Sequence, residues 1–316
     1  MMIKNFFKNN PMHKKIVTYL DLFYLLLPLK YFLVWPVLCV GIYLGLFILD
    51  ESPQFLTNFE YGVLSLFLGM TFIMSSYYIG IQLSESINKS SINFIKEKYS
   101  VDFVLQLKKY LLILGLVFLF FSSWLCFVLG FILSMVNNLW SEQYNGNFVM
   151  KLVYQLLIAF ILSFSGLSYT LDLEEYSFFT KLMLYFKLIS PYFLLYVSVF
   201  FVLNHNFFNN NKISKVLCLL SIVFILLGFI LSIQFIDPLG SITLIVSFPF
   251  FIYSFARGLD KDFQRVYIYP LAILNFFCMT IFPYLFICLF IVFYLSKYYN
   301  WHRFDFHFPT FLVDND

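Results

Sequence analysis

Long apolar runs recur along this chain, with short polar segments between them. Each run holds about 20 mostly apolar residues, the length that an α-helix needs to cross the hydrocarbon core of a bilayer. The pattern therefore predicts six membrane-spanning helices, over residues 31–49, 61–81, 110–136, 148–168, 215–236 and 239–256. Before them, residues 1–15 are predicted to form a cytoplasmic arm and residues 16–29 a helix at the membrane interface.

Two further apolar stretches fit a single span less simply. Residues 177–204 are long for one crossing and short for two, and they contain Pro191. Residues 265–298 would extend roughly 50 Å as one helix at 1.5 Å per residue, unless Pro283 bends that helix or divides it into a hairpin. The sequence thus predicts an all-α, polytopic membrane bundle with eight to ten crossings. Its predicted parts are an arm and interfacial helix at 1–30, a transmembrane domain at 31–298 and a tail at 299–316.

Charged residues divide the polar connections into two kinds. Residues 82–109, 205–215 and 257–265 are rich in Lys or Arg, whereas residues 50–60 and 137–147 carry acidic charges only. Basic connections stay on the cytoplasmic side of a membrane. The three basic connections and the N-terminus are therefore predicted to be cytoplasmic, in a bacterial inner membrane, and the two acidic connections external.

This orientation makes a specific prediction for the stretch around Pro191. Residues 168–181 follow a span that would start outside, so they are predicted to be cytoplasmic although they are acidic. Residues 205–215 are predicted to be cytoplasmic as well. Residues 182–204 must then cross an even number of times, as a kinked hairpin near Pro191 or as a re-entrant segment sheltered by protein.

The composition excludes most other classes of protein. Hydrophobic residues make up 61% of the 316 and charged residues 12%, against about 45–50% and about 25% in soluble domains. A soluble enzyme, a nucleic-acid-binding module and a disordered scaffold are all excluded. The five cysteines lie inside apolar runs without CxxC spacing, which argues against both a disulfide framework and a metal cluster.

Three stretches carry a resemblance to a known family. They are residues 77–89, which end in Ile87-Asn88-Lys89, residues 190–217, and the aromatic, basic tail from 298 to 309. In this order they resemble the UbiA superfamily of intramembrane prenyltransferases. The resemblance implies an all-helical fold, usually with nine spans, and transfer of a polyprenyl group from its diphosphate to a lipid-phase acceptor. The family holds Mg²⁺ with two Asp-rich motifs.

The same resemblance indicates that the metal site has degenerated. The motif positions fall on Tyr77, Ile81, Glu85, Asn88 and Lys89 in the first stretch and on His205 and Asn209 in the second. Only Glu85 is a carboxylate, so it is the one candidate Mg²⁺ ligand, and Mg²⁺ is usually held by carboxylates together with substrate phosphates. After Tyr169, where the family has a basic residue for diphosphate, this chain has Asp172, Glu174 and Glu175.

Three functions remain open from the sequence. The first is a catalytically degenerate member that binds an isoprenoid, a quinone or another lipid, or that serves as a subunit of a membrane complex, with no cofactor. The second is an active, divergent prenyltransferase that uses Mg²⁺. The third is a small-solute transporter.

The sequence also makes predictions for individual polar residues. The motif positions are predicted to approach one another at one cavity mouth near the cytoplasmic face. His205 is predicted to cap a helix or to lie at the interface, with binding of a lipid phosphate as the alternative. Asp21 is predicted to snorkel to the interface or to pair with Lys30.

Overall fold

The computed structural model describes residues 31–49, 61–86, 100–140, 147–170, 178–208 and 211–304, together with a few residues between 12 and 23. Within this part of the chain the structure is helical and contains no strand. The helices are α1 (Tyr31–Ile48), α2 (Tyr61–Ser86), α3 (Val101–Ser122), α4 (Trp124–Trp140), α5 (Phe148–Thr170), α6 (Phe178–Leu203), α7 (Asn211–Gln234), α8 (Pro238–Arg257), α9 (Asp260–Ile281) and α10 (Pro283–Phe304), with a 3-10 turn at His205–Phe208.

Seven of these helices, α1, α2, α3 and α5 to α8, are long and apolar enough to cross a membrane, and α4, α9 and α10 contain shorter apolar segments. The prediction of an all-α, polytopic membrane bundle is confirmed. The described helices belong to two compact units. Unit 1 contains the described parts of Met1–Val34, Leu64–Ser141 and Tyr284–Asp316, and unit 2 those of Trp35–Val63 and Glu142–Pro283.

The predicted single span over residues 110–136 is wrong. Helix α3 already begins at Val101 and ends at Ser122, where Ser123 adopts an extended conformation with φ −164° and ψ 156°. The Ser123 hydroxyl then accepts a hydrogen bond from the Cys126 N–H at 3.0 Å and so caps α4. The chain folds back at this residue, because Gly130 packs directly against Leu119. A serine cap therefore divides one apolar run into two helices.

The predicted even number of crossings between residues 182 and 204 is also wrong. Helix α6 runs without a break from Phe178 to Leu203, through Pro191. Proline has no N–H, so the Lys187 carbonyl loses its normal helical partner. The Ser190 hydroxyl donates to that carbonyl at 2.7 Å. Serine hydroxyls can satisfy backbone groups freed by proline in this way, which lets a membrane helix continue through proline.

The stretch 265–298 consists of two helices. Helix α9 ends at Ile281, and α10 begins at Pro283. Proline is well tolerated at the first position of a helix, where its missing N–H has no partner to lose. Of the alternatives that the sequence left open, Pro283 therefore divides the stretch. Helix α10 continues to Phe304, six residues into the predicted tail.

Unit 2 has a core built from α6 to α9. The buried residues of this core are Leu195, Val202, Ile225, Leu244, Phe251 and Val266. Helix α1 packs against α5 through glycine, since a Cβ at Gly41 would lie 1.8 Å from the Ser163 carbonyl oxygen and one at Gly166 2.3 Å from the Leu38 carbonyl oxygen. Small residues at such positions let membrane helices approach closely.

Unit 1 brings α2, α3 and α4 together. Ile79 of α2 packs with Val104 and Leu111 of α3. The Ser76 hydroxyl donates to the Lys108 carbonyl at 3.0 Å, and Gly69 lies against Gly115 farther along the same pair of helices. The order of these contacts makes α2 and α3 antiparallel.

Candidate functional site

The first motif lies at the end of α2 in unit 1. Tyr77 is half-buried, and its ring lies 5.6 Å from that of Tyr78. Tyr77, Ile81 and Glu85 recur every four residues and so share one face of the helix. The side chains of Ile81 and Glu85, and the whole of Asn88 and Lys89, lie outside the described residues.

The second motif lies in unit 2, and there His205 has a structural role. Its Nδ1 lies 2.8 Å from the Val202 carbonyl oxygen. A carbonyl can only accept, so Nδ1 carries the hydrogen and donates it. The imidazole ring also stacks on Phe263, with centroids 3.8 Å apart. His205 thus caps the end of α6, as the sequence predicted. Asn209 lies outside the described residues, and the approach of the two motifs remains a prediction.

Asp21 has a partner that the sequence did not predict. It is buried, and the Tyr299 hydroxyl of α10 donates to its Oδ1 at 2.6 Å. This contact within unit 1 links the N-terminal segment to the last helix. The prediction that Asp21 snorkels to the interface is wrong, because the tyrosine hydroxyl lets the carboxylate remain buried. Lys30 lies outside the described residues.

Contacts inside unit 2 place its helix ends into two groups. Lys151, at the start of α5, donates to Asn204 Oδ1 at 2.8 Å, just after the end of α6. The start of α7 follows there, and α8 ends with Arg257. We call this the basic end, because it gathers positive side chains from several helices. They are Lys151, Lys212, Lys215, Arg257 and Arg265.

The opposite end of unit 2 collects acidic segments. Gly45 of α1 packs against Thr170 at the end of α5, and Tyr43 of α1 bonds Asp237, which lies between α7 and α8. We call this the acidic end. The connections that leave the helices here include residues 50–60 and 171–177, which carry three acidic residues each and no basic residue.

This arrangement corrects the orientation predicted from the loops. Residues 137–147 and 205–215 were predicted on opposite sides, yet the start of α5 lies beside the end of α6. Residues 168–181 and 205–215 were predicted on one side, yet α6 separates them as a single helix. The fold-back at Ser123 and the single crossing at Pro191 each change the predicted number of membrane crossings by one. With both changes, the basic helix ends of unit 2 lie on one side and the acidic connections on the other.

A buried carboxylate contacts two arginines at the basic end. The Asp262 side chain has 0% exposure, and its Oδ1 accepts from Arg265 Nη1 at 3.1 Å. Its Oδ2 lies 3.4 Å from Arg257 Nε, and the Arg257 side chain is 52% exposed. One carboxylate against two guanidiniums leaves a net positive charge, so this group can attract an anion.

A second buried carboxylate lies at the acidic end. Asp237 is 1% exposed and precedes Pro238, the first residue of α8. Tyr43 Oη donates to Asp237 Oδ1 at 3.0 Å, and the Asp237 N–H donates to the Ser232 carbonyl at 2.9 Å. Burial raises the pKa of the Asp237 carboxyl above its ordinary value, although nearby backbone N–H groups and tyrosine hydroxyls oppose the shift.

The described part of unit 2 also contains a small apolar cavity. Its volume is about 30 Å³, and Val37, Ala159, Tyr192 and Leu274 are among the residues that line it. Pockets for organic ligands usually have about 300–1,000 Å³, so this cavity is too small for a prenyl chain. Among the described residues, no group of three or more His, Cys, Asp or Glu side chains is arranged to hold a metal ion.

Sequence reasoning missed both buried carboxylates. Asp237 stands directly before a proline, which is a recognisable helix start, and Asp262 stands among basic residues. Neither signal reveals burial, which depends on neighbouring helices. The Gly41-x-x-x-Gly45 spacing was likewise a readable sign of close helix packing.

The fold and these contacts define a class of protein, a multi-pass, all-α integral membrane bundle. No protein-family model, no curated protein and no solved structure matches the chain. The residues themselves must therefore carry any functional assignment.

Proposed function

We propose that this chain is a non-catalytic, UbiA-like membrane protein that binds an anionic lipid, such as an isoprenoid phosphate, with the lipid headgroup at the basic end of unit 2. The observation that carries the proposal is the pair of arginines that contact Asp262. Arg265 is held at 3.1 Å and Arg257 at 3.4 Å from the same buried carboxylate. A guanidinium held in one orientation is well suited to bind a phosphate through two parallel hydrogen bonds.

The surroundings of this pair support a lipid as the ligand. Lys212 and Lys215 begin the neighbouring helix α7, and His205 stacks on Phe263 in the first turn of α9. Basic pockets between membrane helices on the cytoplasmic side bind anionic headgroups. By the positive-inside rule, this end faces the cytoplasm, in a bacterial inner membrane. The lipid chain then runs along the outer faces of the helices, where large apolar side chains are exposed.

The role of His205 supports a non-catalytic function. At the position where the family has a metal-binding Asp, this side chain donates to a helix carbonyl and stacks on an aromatic ring. Both contacts hold the imidazole in a structural position. A prenyl diphosphate needs metal ions to stabilise its leaving group, and His205 does not replace a carboxylate ligand in that task.

The proposal can be tested with the full chain in nanodiscs of phosphatidylcholine that contain a small fraction of undecaprenyl phosphate or phosphatidylglycerol. Native mass spectrometry would count the lipids retained. We expect selective retention of the anionic lipids, and an Arg257→Gln variant should retain them several-fold less. Lys187→Gln is the matched control, since Lys187 is an exposed cation within α6, away from the basic end.

Two results would overturn the proposal. The first is equal retention of anionic lipids by the wild-type chain and Arg257→Gln. The second is Mg²⁺-dependent transfer from geranylgeranyl diphosphate that disappears in Glu85→Gln, because that result would restore the enzymatic function.

A further inference from the structure

Two buried oxygen atoms at the acidic end of unit 2 make no hydrogen bond with any described residue. They are Asp237 Oδ2 and Tyr192 Oη. Asp237 is 1% exposed and Tyr192 7%. The Tyr192 hydroxyl is close enough to Asp237 to interact with its charge, but the geometry is not that of a hydrogen bond. Buried polar groups without partners are rare in folded proteins and indicate a bound water, a bound ion or a functional role.

The backbone leaves space for the carboxylate at this position. A Cβ on Gly240 would lie only 2.4 Å from Asp237 Oδ2. Any other residue at 240 would therefore press on that oxygen. The hydroxyls of Ser232 and Ser241 lie beside the site and are 3.0 Å apart. The side-chain oxygens that act on the carboxylate come from Tyr43 of α1 and Tyr192 of α6.

Among the residues that the structure describes, no basic side chain is seen to act on the Asp237 carboxylate. The side chains that interact with Asp237 are Tyr43 from α1 and Tyr192 from α6, and its own helix α8 contributes only backbone groups. The Ser241 hydroxyl of α8 bonds the Ser232 hydroxyl of α7 and the backbone carbonyl of Asp237, and neither serine carries a charge. A buried, ionised carboxylate without a counter-charge is very costly. One positive charge balances it, whereas a divalent ion would leave an excess.

We propose that Asp237, Tyr43 and Tyr192 form a binding site for one monovalent cation, either Na⁺ or a proton. A sodium ion would use Asp237 Oδ2 and Tyr192 Oη as oxygen ligands. A proton on Oδ2 would neutralise the carboxylate. Either species removes the uncompensated charge of Asp237. The site lies at the end of unit 2 opposite the proposed lipid headgroup, so it does not depend on that function.

The test compares thermal unfolding midpoints of the detergent-purified full chain between about pH 4 and about pH 8, a range that begins near the ordinary pKa of Asp. A group whose pKa is raised by folding stabilises the protein below its ordinary pKa and loses that effect as pH rises through the raised value. In choline chloride, the wild-type midpoint should fall by several degrees as pH rises. Sodium chloride should restore it at high pH if Na⁺ binds, and should have no effect if only a proton binds.

Variants assign this dependence to the site. Asp237→Asn is neutral and should remove the dependence on both pH and sodium across this range. Tyr192→Phe removes one ligand oxygen and should reduce the dependence, and it serves as the second variant if Asp237→Asn does not fold. Asp102→Asn is the matched control, since Asp102 is exposed on α3, and should behave like the wild-type chain.

The proposal is overturned if the wild-type midpoint changes with neither pH nor sodium. It is also overturned if Asp237→Asn, or Tyr192→Phe where only that variant folds, keeps the full wild-type response. A response that is lost equally in Asp102→Asn would place the effect elsewhere in the chain and would count against the site.

Discussion

The contact between α1 and α5 gives a quantitative prediction for Gly41→Ala. The new Cβ would lie 1.8 Å from the Ser163 carbonyl oxygen and 2.7 Å from its carbon. Non-bonded heavy atoms prefer about 3.5 Å, so the helices would have to separate by roughly 1.7 Å. A backbone carbonyl inside a helix cannot turn aside as a side chain can, so the two helices must move as bodies.

The expected cost follows from overpacking. Adding a methyl group to a tightly packed contact costs about 1–3 kcal/mol, while replacing glycine by alanine inside a helix recovers at most about 1 kcal/mol. We expect the free energy of unfolding of Gly41→Ala to fall by about 1–2 kcal/mol. Gly166→Ala, whose Cβ would lie 2.3 Å from the Leu38 carbonyl oxygen, should show a similar loss.

A matched control lies in the same unit. A Cβ at Gly228 would meet its nearest atom, the Pro191 carbonyl oxygen, at 3.3 Å. Gly228→Ala should therefore be destabilised less than Gly41→Ala. The assay is reversible unfolding in bicelles by steric trapping, with all three variants measured together. If Gly41→Ala were as stable as Gly228→Ala, the close approach of α1 and α5 would be refuted.

Two further predictions concern the corrected features of the fold. Ser190→Ala should lower the free energy of unfolding by about 1 kcal/mol, because it leaves the Lys187 carbonyl without a partner. In a Pro191→Ala background it should cost nothing, because the restored N–H reaches that carbonyl. Equal costs in both backgrounds, measured by the same unfolding assay, would contradict the helix described at Pro191. Cysteines placed at positions 147 and 236 should be labelled by impermeant reagents from opposite sides of the membrane. The reason is that α5 begins at the basic end and Ile236 lies at the acidic end. Labelling of both cysteines from one side would restore the orientation predicted from the loops.

The class of fold could be predicted from the sequence because apolar length is a local property. Five predicted spans correspond to α1, α2, α5, α7 and α8. Both errors lie at positions where a serine hydroxyl bonds the backbone. Ser123 caps α4 where α3 ends, and the Ser190 hydroxyl donates to the Lys187 carbonyl that Pro191 leaves free. Hydropathy alone gives no weight to either bond.

The candidate site was predicted less well, for a different physical reason. His205 could be predicted as a cap because a polar residue at a helix end usually bonds the nearest free carbonyl. The importance of Asp237 and Asp262 comes from burial by helices distant in sequence, such as the contact of Asp237 with Tyr43, 194 residues away. Periodicity along one segment carries no information about such contacts.

The single-residue connection at Ser123 also constrains how the chain enters a membrane during synthesis. Only Ser123 separates α3 from α4, so the two helices are expected to enter the lipid together. The two must partition as a hairpin led by Ser122 and Ser123, which cross hydrocarbon at a much smaller cost than charged residues would. Phe120, Phe121 and Trp124 surround that tip, and aromatic rings prefer the headgroup region. We therefore expect α3 and α4 to enter the membrane together as a helix pair.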